Sequence, residues 1–228
     1  MSPRRPVRHP LLLAVALACA CTGAHAADDV DKVNGSISAD AGQTYGDLST
    51  VNGGVTIGAG AHVGSASTVN GSIEAGDALV ADSINTVNGG IRVGSHAQIS
   101  GDMETVNGGI FVDRGGRIGK GVGTVNGAIG LVDTEVAGDV ETVSGDITIG
   151  VGSQVRGALR VRKPNASWLP INFGNKRKPR IIIGPNAAVD GELVFERDVT
   201  LYVHKSARIG KVVGATPIAY DGARAPTE

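Results

Sequence analysis

The chain has 228 residues, 35 of them glycine, with aromatics at 3% and a formal net charge of −1 at pH 7. So few bulky side chains speak against a compact sandwich or barrel, and the near-neutral total gives no basis for a nucleic-acid partner. That total is uneven along the chain: residues 27–159 carry 16 acids against 6 Lys or Arg (−10), and residues 160–228 carry 12 Lys or Arg against 6 acids (+6).

The first 26 residues read as a secretory signal. Arg4, Arg5 and Arg8 precede an apolar run from Leu11 to Ala20, and Ala24-His25-Ala26 supplies a small-x-small cleavage pattern. The run is shorter than the roughly 20 residues a membrane span needs. Cleavage is expected after Ala26, which sends the mature chain to the periplasm or outside the cell. The rival reading is a lipoprotein anchored through Cys19 or Cys21, but the positions three before them hold Ala16 and Ala18, not leucine. Both cysteines fall inside this segment, so the remaining chain has no thiol for a disulfide, a nucleophile or a metal.

Residues 27–160 are repetitive. Thr-Val-Asn-Gly stands at 50–53, 68–71, 86–89, 105–108 and 124–127, with Lys-Val-Asn-Gly at 32–35 and Thr-Val-Ser-Gly at 142–145. Aligned on Asn34, Asn52, Asn70, Asn88, Asn107, Asn126 and then Ser144, the steps are 18, 18, 18, 19, 19 and 18. A period of this size marks a solenoid. Three residues after each Asn lies Ile37, Val55, Ile73, Ile91, Ile110, Ile129 or Ile147, and eleven after lies Tyr45, Val63, Ala81, Ile99, Ile118, Ala137 or Val155. Apolar residues also recur about every six positions, as in Val51, Ile57, Val63 and Val69.

This arithmetic predicts an all-β, single-stranded, three-sided β-helix of about 18 residues per coil, with strands of about six residues. Val51, Val55 and Ile57 are expected to face inward, and Asn52 and Thr56 outward. Gly58, Gly76 and Gly94 are expected at corners that need positive φ. The extra residues of the longer coils fall in Ser100–Glu104 and Gly119–Gly123. Like residues then stack at about 4.8 Å, so the asparagines are expected to form an amide ladder. The functional alternative is a ligand-binding stripe along those amides.

Between residues 161 and 180 the rhythm breaks into a proline-rich basic loop carrying Arg162, Lys163, Trp168, Phe173, Lys176, Arg177, Lys178 and Arg180. Such a loop suits an anionic envelope polymer, a glycan or a membrane surface. A sequon, Asn165-Ala166-Ser167, lies within it. The coil pattern resumes over 181–214, where Ile183 to Val189 and Val203 to Ile209 are again six apart. About nine coils result, a rod on the order of 40 Å long, followed by a loose tail over 215–228.

Catalytic chemistry is hard to find. His62, His96 and His204 fall in different columns, so no stacked pair offers metal-ligand spacing. Polysaccharide-active β-helices need clustered acids and sugar-stacking aromatics, and hexapeptide-type transferases need an acyl donor that an exported chain would not meet. No cofactor is expected. The rhythm across 33–160, with "IGPNAAVDGELVFERDVTLYVHKSARIG" at 183–210, resembles the bactofilins, a polymer-forming bacterial cytoskeletal family. That resemblance implies a right-handed β-helix that associates end to end without nucleotide; left-handed coils fit the spacing too. Bactofilins work in the cytoplasm, whereas this chain carries an export signal. The expectation is an exported, non-catalytic structural protein that self-associates end to end, with a monomeric binding module using the 161–180 loop as the alternative.

Overall fold

A computed structural model describes residues 27–164 and 177–226. The leader with its cleavage site lies outside them, as do the sequon, Trp168, Phe173 and Lys176. The chain is a β-solenoid of three parallel sheets. The first wall has ten strands, from Val30–Asn34 to Val212–Val213; the second has ten, from Ile37–Ala39 to Pro217–Tyr220. The third has seven two-residue strands, from Val80–Ala81 to Arg208–Ile209. The walls are unequal, with strands of mostly five or six residues in the regular part of the first, three in the second and two in the third. Corners take the rest of each coil.

The coils stack in strict register, Asn34 beside Asn52, Asn52 beside Asn70 and Ile73 beside Ile91. The core is a prism of like columns. One column of the first wall supplies Leu48, Ala66, Ile84, Met103, Val122, Val140 and Leu159, all buried. The second wall supplies Val55, Ile73, Ile91, Ile110, Ile129 and Ile147, and the third Val63, Ile99, Ile118, Val136 and Val155. Each fully buried Ile or Leu contributes about 1.5–3 kcal/mol, which lets the thin core of the regular coils hold on aliphatic side chains; buried aromatics, Phe195, Tyr202 and Tyr220, enter only toward the far end.

Four expectations need correction. Val51 does not face the core with Val55 and Ile57; Val51 and Val69 are exposed, and Thr50 takes the inward position. Strand alternation runs Leu48 in, Ser49 out, Thr50 in, Val51 out, so the apolar letter was not the buried one.

Positive φ does not belong to Gly58, Gly76 or Gly94. It occurs two residues later, at Gly60, Ala78 and His96, and in the same column at Gly42, Gly115, Asp133, Gly152 and Asn186. Gly58, Gly76 and Gly94 are small for a different reason: a Cβ there would lie 2.4–2.8 Å from backbone atoms of the coil below.

The third-wall residue beside Ile118 is Val136, not Ala137. The corner after Ile118 keeps its extra residue, but this coil runs from Leu131 to Val136 in five steps where its predecessor takes six from Val112 to Ile118. A compensating deletion hides inside an 18-residue coil. Finally, the tail is partly structured. Pro217–Tyr220 pairs in parallel with Thr200–His204, and Tyr220 is buried with its hydroxyl 3.3 Å from the Ile183 carbonyl.

Candidate functional surface

Three letters of Thr-Val-Asn-Gly have a structural task. The asparagines form a continuous ladder: each Nδ2 of Asn52, Asn70, Asn88, Asn107 and Asn126 donates to the Oδ1 one coil earlier, at 2.9–3.0 Å. The ladder stands at the corner between the first and second walls, and its amides are largely exposed. Ser144 ends it, and Arg197 reaches back to donate to the Ser144 hydroxyl at 3.3 Å and the Val143 carbonyl at 3.0 Å.

The threonines are buried and satisfied. Oγ1 of Thr50, Thr68, Thr86, Thr105 and Thr124 donates at 2.8–3.0 Å to a glycine carbonyl in the preceding coil, Gly35, Gly53, Gly71, Gly89 and Gly108 in turn. A buried hydroxyl without such an acceptor would be costly. Gly53, Gly71, Gly89, Gly108 and Gly127 lie so tightly on the coil below that a Cβ would come within 1.8–2.3 Å of a carbonyl oxygen.

Valine is the letter without an internal partner. Val51, Val69, Val87, Val106 and Val125 are 37–40% exposed, and Val33, on the terminal row, is 68% exposed. They make a straight apolar stripe on the outside of the first wall. Beside it runs a second outward column, joined row by row: Asp31, Ser49, Ser67, Asn85, Glu104, Gly123, Glu141, Arg160. From Ser49 and Val51 to Glu141 and Val143, stripe and column line a shallow trough of about 740 Å³. Sequence reasoning missed this trough because Val read as core. The signal was present: alternation from Leu48 through Thr50 already places Val51 outward.

The basic segment is bound to the solenoid at both roots. Arg162 pairs with Glu141 at 2.8 Å, Arg177 with Asp146 at 2.7 Å and Lys178 with Asp198 at 3.2 Å. The Lys163 backbone N–H donates to Glu196 at 3.0 Å, and that of Arg180 to Asp146 at 2.8 Å. The Arg180 guanidinium lies 5.1 Å from the centre of the Tyr202 ring and donates to the Pro226 carbonyl. The histidines are separated, His62 in a third-wall bridge, His96 at a positive-φ corner and His204 against Tyr220 at 5.0 Å.

No protein-family model, no curated protein and no solved structure matches this chain.

Proposed function

We propose that the chain is an exported, non-catalytic structural protein that joins end to end into a scaffold of the cell envelope. The observation that carries this reading is the state of the two ends. The first and second walls begin with Val30–Asn34 and Ile37–Ala39 and finish with Val212–Val213 and Pro217–Tyr220. No helix covers either edge among the described residues. Among the described residues no strand pairs with the outer side of either edge, and backbone groups left so recruit another strand unless blocked. Because all pairings are parallel, the starting strands of one copy extend the walls that finish another, and joining unlike ends gives an open filament.

Charge favours the same polarity. The first coil carries Asp28, Asp29, Asp31 and Asp40 against Lys32, and the last carries Lys205, Arg208 and Lys211 against Asp221, which pairs with Lys205 at 2.6 Å. Beyond Pro217–Tyr220 the chain turns back along the wall, since Pro226 meets Arg180 two rows earlier. The likeness to polymer-forming bactofilins agrees with this reading. The alternative, a monomeric module holding an anionic polymer through the 161–180 segment, has less support, because Arg162, Arg177 and Lys178 already face carboxylates of the solenoid.

Electron microscopy of the purified protein, with light scattering across a salt series, tests the proposal. Rods of constant width that lengthen with concentration and shorten in high salt are expected. A strictly monomeric species at high concentration overturns it.

A further inference from the structure

We infer that the valine stripe is a lateral contact between two copies of this chain, packed face to face with their long axes antiparallel. Of the four repeated letters, valine alone has no partner within the solenoid, yet it recurs in the same exposed place on successive rows. A two-fold axis lying in the interface, along the strands, turns each outward column onto its own copy with the row order reversed. An isologous contact needs such self-complementarity.

The flanking column fixes the register. With the axis between the rows of Asn85 and Glu104, Val87 faces Val106, Val69 faces Val125 and Val51 faces the half-buried Val143 of the second copy. The same operation sets Asn85 against Glu104, Ser49 against Glu141 and Asp31 against Arg160. Glu104 then meets an amide; Glu141, which also pairs with Arg162, meets a hydroxyl; and Asp31 meets Arg160, whose guanidinium also lies 3.6 Å from Asp139. A shift by one row would put Asp31 against Glu141 in one direction and Glu104 against its own copy in the other, and like charges held together disfavour both registers. Side-by-side parallel packing instead sets the Ser/Glu column against the asparagine corner and loses these matches.

The contact is small. From Val51 to Val143 the stripe spans on the order of 24 Å, and a strip about 10 Å wide offers on the order of 300 Å² per copy. A stable pair buries roughly 800 Å² per partner. A lone pair is therefore weak, and the contact rests on the scaffold reading for its strength: joined end to end, many stripes act together and their avidity accumulates.

Chemical cross-linking tests the register without requiring filaments. In a Cys19→Ser, Cys21→Ser background, Val69→Cys and Val125→Cys chains are mixed and treated with a bismaleimide whose reach is about the 10 Å between packed sheets. The mixture is expected to give severalfold more covalent dimer than either variant alone, because like positions lie three rows apart, about 14 Å along the axis. Ser49→Cys mixed with Glu141→Cys, five rows from self-matching, gives an independent pair should one valine variant fold poorly. Yields no higher in the mixtures than in the single variants overturn the inference, whether the trough is then idle or holds another partner. Light scattering on the same samples reports filament formation separately, so loss of the end-to-end reading and loss of the lateral contact are distinguishable.

Discussion

From Asn52 to Asn126 the glycine after each ladder asparagine is there for a steric reason, not a conformational one; Gly35, on the terminal row, instead holds φ at +106° with open space around its Cα. A Cβ on Gly89 or Gly108 would sit 1.9 Å from the carbonyl oxygen of the glycine one coil earlier. Gly108→Ala must push two coils apart, and a loss of roughly 2–3 kcal/mol is expected in urea unfolding. Gly123 has nothing within 4 Å of its added Cβ, so Gly123→Ala is expected to be neutral or to gain about 0.5 kcal/mol. Equal effects from the two would contradict the stacking. At the other kind of corner, Ala78 holds φ at +55°. Left-handed backbone costs a non-glycine residue about 1–2 kcal/mol. Ala78→Gly is expected to stabilise by about 0.5–1 kcal/mol after the added freedom of the unfolded chain is subtracted. That column was invisible in the sequence because it is written with Gly, Ala, His, Asp and Asn, residues that share a backbone angle and no chemistry.

Among the elements, the amide ladder and the final strand make separate predictions. Each interior ladder asparagine makes one bond up and one down, so Asn88→Ala removes two exposed amide bonds. A cost of about 1 kcal/mol is expected, with the fold retained by circular dichroism. The last strand is held from two sides. Lys205 donates to Asp221 and holds its carboxyl below the ordinary value of 3.8, while burial pushes the Tyr220 phenol above 10.0. A lowered acid pKa lends stability above its unfolded value that is lost as pH falls through the folded one. A raised phenol pKa lends stability below 10.0 that is lost as pH rises further. The protection of the Lys205 amide, whose N–H donates to the Tyr220 carbonyl at 2.9 Å, is therefore expected, relative to the exchange rate of the unfolded amide at the same pH, to fall at both extremes and to stay high between them. The strand itself was not legible: Pro217 and the residues after it break the 18-residue rhythm, and only pairing with Thr200–His204 defines the element.

For the whole molecule, the solenoid was readable because one period governs all three walls, so a column seen in sequence is a column in space. The trough was readable only from the alternation that starts at Leu48, because composition favours Val51 over Thr50 as the buried residue, and what decides otherwise is the hydroxyls of Thr50 and its column, which donate to carbonyls 15 or 16 residues earlier. Among the described residues the first and second walls each end in a strand with no partner on its outer side, and the proposed function rests on those ends. Proline substitutions on the first coil, Asp31→Pro with Ser38→Pro, remove backbone donors from both starting strands. Sedimentation velocity of the native and the double-proline protein over a wide concentration range is the most direct test. The account predicts a native sedimentation coefficient that climbs with concentration and a proline variant that stays monomeric with an unchanged circular dichroism spectrum. A native protein that sediments as a single monomer at every concentration contradicts it.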